Sequence, residues 1–235
     1  MSPSAEDITG IDRFQSLWKR NLCEAAADES EAIYDRLLAG YQEPHRHYHT
    51  LDHIKHCLTL FEDCKALVSE PDAVELAIWF HDVVLVSGRR DNEARSAQLY
   101  LELSDGIQRE SLRQLVWRLI MATLHNGEHL DDADSSYMVD IDLSSFGQPW
   151  DEFMHDSMNV RTESRHLCDA DYQLKQTGFQ RSLLARSRFY LSDFFFARLE
   201  NQARDNLARY FDYLRTDSGS PATDLPATDR PTKDH

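Results

Sequence analysis

Apolar residues recur at helical spacing along most of the chain, and no segment alternates in the way a half-buried strand does. Phe14, Leu17, Trp18 and Leu22 mark a first helix, and Ile33, Leu37 and Leu38 mark a second that stops near Gly40. Pro44 and its polar neighbours in YQEPHRHY break the pattern into a loop. Leu51, Ile54, Leu58 and Phe61 define a third helix. Pro71 suits the first turn of a fourth, in which residues 73–86 are almost all apolar and read as a helix buried on most faces. SGRR connects it to a fifth helix over residues 91–103, and Leu112, Leu115, Val116, Leu119 and Ile120 define a sixth ending near His125. The polar loop NGEHLDDADSS follows, then a short segment around Asp140–Ser144 and further helices to Leu214.

This pattern predicts an all-α fold, with one helical domain over residues 10–216 after a flexible N-terminus of residues 1–9. From residue 217 to 235 the chain is rich in Pro, Thr and Asp, with Leu225 its only large apolar side chain. Such a segment has too little to bury to offset the entropy of ordering it, so a disordered tail is expected.

At 235 residues, 41% of them hydrophobic, the chain can build a substantial core. A formal charge of −16 excludes nucleic acid as the default partner, because phosphate backbones attract basic surfaces. A small phosphorylated substrate stays compatible with that charge, since a metal ion supplies positive charge locally. Cys23, Cys57, Cys64 and Cys168 show no C-x-x-C spacing and are expected to be reduced and buried. The N-terminal residues lack a basic stretch followed by an apolar one, and no apolar run approaches a membrane span. A cytoplasmic protein with no membrane partner is the expectation. The aromatic run FYLSDFFFARL suits a core or a homodimer interface.

Within this helical pattern His81 and Asp82 stand out, because they sit at the end of the apolar run AVELAIWF. An imidazole and a carboxylate delivered into a core need a partner or a cation. His49 and His53, four apart, share a helix face, and His56 joins them. A solvated histidine stripe is the plain alternative, but this one continues into Cys57, Leu60 and Cys64 rather than into charges. Asp140 and Asp142 lie where apolar residues resume, although an acidic turn explains them equally well in isolation. Histidine nitrogens with aspartate oxygens suit a divalent transition metal, and His53, His81, Asp82 and Asp142 make a four-ligand set with room for water.

The segments RHYHTLDHI, WFHDVV and DIDLSS, in that order in a helical chain, resemble the HD superfamily of metal-dependent phosphohydrolases. YHTLDH is similar to the YHN-x-x-H segment of class I cyclic-nucleotide phosphodiesterases, and IDLS to their ADLS. With DNEARSAQ and ENQARDNLARYF, the likeness to one bacterial family of HD-superfamily hydrolases runs over roughly residues 12–212. The resemblance implies an HD-domain, phosphodiesterase-like helical bundle in which His53, His81, Asp82 and Asp142 bind one divalent metal (Mn, Mg, Fe, Ni, Co or Zn). It implies that His49 protonates the leaving oxygen, and Asp82 is expected both to ligate the metal and to orient the attacking water. The metal would polarise a phosphoryl oxygen and acidify water, and a nearby histidine titrates close to neutral pH.

The sequence departs from the phosphodiesterase pattern after His81-Asp82, where VVLVSGRR offers no histidine for a second metal. His125, His129, Glu93 and Asp140 are the substitutes for a second metal or for substrate, His125 foremost because it ends a core helix. Nothing resembles the glutamine-bearing purine pocket of those enzymes. Arg89, Arg90 and Arg95 are placed to meet a phosphate but read more simply as surface charges, and Arg161, Glu163 and Arg204 as supporting residues. The expected function is hydrolysis of a phosphate ester or anhydride, of a nucleotide or nucleotide-like small molecule. Two alternatives stand beside it, an HD-scaffold di-iron oxygenase and a non-catalytic metal- or ligand-binding domain.

Overall fold

The computed structural model of the chain describes residues 8–126 and 132–217. The expected tail beyond Asp217, His129 and the first seven residues lie outside the described residues. Among the described residues there are ten α-helices and no strand, so the chain is all-α as its periodicity predicts. The helices are α1 (Ile11–Arg20), α2 (Ser30–Tyr41), α3 (Leu51–Cys64), α4 (Pro71–Phe80) and α5 (Asn92–Leu103). They continue with α6 (Glu110–Ala122), α7 (Ala133–Asp142), α8 (Trp150–Glu163), α9 (Asp169–Leu184) and α10 (Asp193–Asp217). A 3-10 turn, Leu143–Gly147, extends α7. No helix among the described residues is long and apolar enough to cross a membrane.

α4 is the central helix, with every residue from Ala73 to Phe80 buried. It packs against α3, α5, α6 and α7. Trp79 and Phe80 meet Phe14, Trp18, Tyr34 and Tyr100 in an aromatic cluster that joins α1, α2 and α5 to it. Its N-terminus has Pro71 in the first turn, where no amide is needed, and Asp134 accepts from the amides of Ser69 and Glu70 just before it. Such anchoring fixes where the helix starts and therefore which residues its far end presents.

Two boundaries differ from the sequence expectation. α4 ends at Phe80, so His81 and Asp82 lie on a turn after it and not inside a helix reaching residue 86. The apolar run continues because His81 and Val83 are buried in the turn itself, and periodicity alone cannot separate a buried turn from a buried helix. The second boundary is at DADSS, which opens α7 rather than closing a loop, since the Asp132 carboxylate caps the helix at the Ser135 amide. Just before α1, Thr9 is buried and its carbonyl accepts from the Tyr34 hydroxyl. Cys57 and Cys64 are buried as expected, but Cys168 is exposed.

The last helix is latched to the middle of the chain. Asn206 donates to the carbonyls of Phe146 and Gln148, and Tyr190 donates to that of Leu143. Gly147 makes the contact close, because a Cβ there would lie 2.6 Å from Leu199 Cβ. Phe189, Tyr190 and Phe195 of the aromatic run are core residues, while Phe196 is exposed and carries the Arg188 guanidinium over its ring.

Candidate metal centre

Three separated segments bring the candidate ligands together. His53 lies on the buried face of α3, His81 and Asp82 occupy the turn after α4, and Asp142 is the last residue of α7. One nitrogen or oxygen of each lies within 4.8 Å of the others. His53 Nε2 and His81 Nε2 are 3.3 Å apart, Asp82 Oδ2 is 3.0 Å from His81 Nε2, and Asp142 Oδ1 is 3.3 Å from His53 Nε2. His81 Nδ1 donates to the carbonyl of Ile78 at 2.9 Å, which fixes the ring so that Nε2 faces the cluster.

The carboxylates and imidazoles of the cluster shift one another's protonation. Burial by itself would lower the His81 pKa, but Asp82 and Asp142 outweigh it and raise it well above the ordinary value. Burial would conversely raise the Asp142 pKa, yet hydrogen bonds from His125, His53 and His81 hold it well below the usual carboxylate range. Two carboxylates in a nearly dry site are balanced either by protons on the imidazoles or by a metal in their place. Two imidazole nitrogens and two carboxylate oxygens match the donor set of a borderline divalent ion, so this group is able to hold one metal.

Residues around the cluster fix its shape. Glu163, at the end of α8, accepts through Oε1 from the backbone amides of His47, Tyr48 and His49 at 2.8, 2.8 and 2.9 Å. Its Oε2 accepts from His49 Nδ1 at 2.6 Å. Burial pulls the His49 pKa down, but Asp82 and the bonded Glu163 overcome this and set it at about 9. Glu163 is correspondingly held at about 2 against its own burial. His49 is thus fixed through Nδ1, partly buried beside the cluster and outside the four-residue ligand group.

Arg46 is 5% exposed and ties the two halves of the site at the backbone. It donates to the carbonyl of His49 at 3.0 Å and to those of Asp82 and Val83 at 2.7 and 2.8 Å. Sequence reasoning passed over Arg46, which reads as one more polar residue in a loop. It placed Glu163 among the supporting residues without linking it to His49, 114 residues away.

The remaining candidates separate. His125 donates from Nε2 to Asp142 Oδ2 at 2.8 Å and so orients that carboxylate through the oxygen facing away from the cluster. Its φ of 54° is a left-handed conformation costly for any residue but glycine, and its Nδ1 is buried without a partner. Glu93 lines the cavity beside Asp82 and Asp142, where burial and those two charges raise its pKa. Asp140 faces elsewhere, accepting from the Leu191 and Ser192 amides and the Ser192 hydroxyl ahead of α10. His56 donates to the Ser144 hydroxyl, the side chain of His47 is exposed, and Arg89 pairs with Asp91 at the surface.

The cluster opens on a cavity of about 360 Å³. His49, Asp82, Asp142, Glu93 and His125 line it together with residues of α8 and α9, and the Phe179 ring of α9 lies 5.8 Å from that of His125. No protein-family model matches the chain, and no curated protein matches it.

Proposed function

We propose that the protein is a metal-dependent hydrolase of phosphate esters or anhydrides, built on an HD-type helical scaffold and acting on a nucleotide or nucleotide-like small molecule. The observation that carries this reading is the convergence of His53, His81, Asp82 and Asp142 beside an imidazole held by Glu163. A divalent cation in that set supplies Lewis acidity toward a phosphoryl oxygen and toward water. The protein's own groups supply the rest. Asp82, partly accessible from the cavity, is placed to orient a water molecule. His49, held at Nδ1 by Glu163, presents its other ring nitrogen for donation to a departing alkoxide. Asp142 is steered by His125, and the turn bearing Asp82 is steered by Arg46.

Metal analysis of protein purified without added metal, followed by a phosphoester and nucleotide screen with Mn²⁺, Mg²⁺, Co²⁺ and Ni²⁺, tests this. A bound metal that is lost in Asp142→Ala, with turnover of a phosphate ester that disappears in the same variant, supports the proposal. Two irons per chain with a visible absorption band would favour the oxygenase, and bound metal without turnover the non-catalytic domain.

A further inference from the structure

A second, smaller cavity of about 280 Å³ is formed where the start of α3 meets α8. His47, His53, His56 and His155 line it with Asp52 and Asp156, and among the described residues no lysine or arginine does. Four imidazoles in one small cavity favour late divalent transition metals over the oxygen-seeking Mg²⁺ or Ca²⁺. His56 is set up as such a donor. Its Nε2 donates to the Ser144 hydroxyl at 2.9 Å, and that hydroxyl donates in turn to the Ile141 carbonyl at 2.6 Å. Nδ1 is therefore the ring nitrogen that carries the lone pair. These histidines are not gathered into a ligand shell, because among the described residues only His53, His81, Asp82 and Asp142 lie close enough together for one. Such a lining suits brief capture of an ion rather than its residence.

The smaller cavity adjoins the metal centre. His53 belongs to both its lining and the ligand cluster, whereas the larger cavity touches the cluster through Asp82 and Asp142. Tyr48, Ser145 and Asp156 line both cavities, so the 2.9 Å hydrogen bond from the Tyr48 hydroxyl to that of Ser145 belongs to their shared boundary. The Tyr48 ring also lies over the metal-facing histidine, its centroid 5.0 Å from that of His53. One neutral hydrogen bond contributes little net stability, so side-chain rotation can open such a boundary. A ligand held in the larger cavity covers Asp82 and Asp142 and closes that approach to an ion. The acidic chain, with a formal charge of −16, draws cations to its surface. We infer that the smaller cavity is a loading site for the metal, an assignment that rests on the metal centre and not on the hydrolase reading. Its histidines capture a late divalent ion (Zn²⁺, Ni²⁺ or Co²⁺) and pass it to His53 across the Tyr48–Ser145 boundary, leaving the larger cavity to the ligand.

Metal-stripped, full-length protein and Co²⁺ provide the test. Co²⁺ quenches tryptophan fluorescence at short range, and Trp79 stands two residues before His81. Stopped flow follows association, and a chase with excess EDTA follows dissociation. A loading site lowers the barrier between end states that it does not alter, so its loss slows both rates by one factor and leaves Kd unchanged. His47→Ala/His155→Ala, which changes two exposed side chains, is expected to slow both rates about fivefold or more with Kd within about twofold. Asn159→Trp, which fills the smaller cavity from α8, should slow both about tenfold or more, whereas Ser157→Trp, which fills the larger one, should leave them within about twofold. Tyr48→Phe removes the boundary hydrogen bond and should speed both about fivefold. Rates in Asn159→Trp equal to the wild type's, or slowed no more than in Ser157→Trp, overturn the loading site. So does a double-histidine variant with weakened Kd and an unchanged association rate, since its histidines would then be resident ligands. If Asn159→Trp does not fold, unchanged rates in the double-histidine variant overturn the loading site. Wild-type protein that binds no Co²⁺ refutes the metal centre and the loading site together, whereas Co²⁺ binding at rates that none of these variants moves refutes the loading site alone.

Discussion

Replacing Arg46 by methionine isolates what holds the candidate centre together. The side chain is buried, and its guanidinium donates three hydrogen bonds to carbonyls on two segments, which His45 also joins through a single hydrogen bond to the Leu85 carbonyl. Each charge-assisted bond contributes about 1.5–3 kcal/mol, but the three share one group and are not additive. Methionine keeps much of the packing over the Tyr41 ring and leaves all three carbonyls without that donor. The expected loss is about 3–5 kcal/mol, a fall in Tm of roughly 6–20 °C for a chain of this size. The second effect concerns the metal. Asp82 hangs on the clamped turn, and loss of such an outer contact weakens metal affinity by about 10–100-fold. Thermal unfolding with and without Mn²⁺, together with calorimetric Mn²⁺ titration at a temperature where both proteins are folded, measures both. A destabilised Arg46→Met protein that binds Mn²⁺ within about twofold of the wild type would refute the clamp as a determinant of site geometry.

Three further outcomes follow from the same contacts. His49→Ala should leave Mn²⁺ binding intact and lower turnover of an alkyl phosphate by about 10²–10⁴-fold, with a much smaller loss on a nitrophenyl ester that needs no proton; equal losses on both would exclude a general acid. His56 is held at about 4 by burial and by the neighbouring His53, below its value of about 6.5 in an unfolded chain. Its contribution is therefore fully present above pH 6.5 and is lost as pH falls toward 4, so urea unfolding should show about 1–3 kcal/mol less pH-dependent loss over that window in His56→Gln than in wild type. Gly147→Ala places a Cβ against Leu199 and should cost about 1–3 kcal/mol, read as a Tm lower by several degrees.

How much of this was legible beforehand depended on whether a signal was local. The inward face of α3 was legible because Ile54, Leu58 and Phe61 repeat at its period and carry His53 with them. The end of α4 was not, since Val83 is buried in the turn and Phe80 in the helix. Asp140 and Asp142 share an acidic stretch, in which the sequence singles out Asp142 because apolar residues resume around it but leaves Asp140 open as a further ligand. Once α7 is known to be a helix the two separate, because residues two apart point to different sides, and Asp140 turns to the start of α10. Glu163 and Arg46 act across 114 and 36 residues of chain, distances over which neither spacing nor composition carries information.

The placement of the elements has a consequence for how such a protein changes over generations. The four clustered ligands hang on α3, on the turn after α4 and on α7, whereas much of the rest of the cavity lining comes from α8 and α9. Apart from Glu163, little in residues 150–184 is committed to holding another part of the site, and only Phe153, Tyr172, Gln180 and Leu183 of those two helices are buried. Under the proposed reading, mutation can therefore sample the α8–α9 wall, and with it ligand preference, while the residues that would perform the chemistry are inherited unaltered. Divergence in what is bound and conservation of what is done to it would be written in different stretches of the gene.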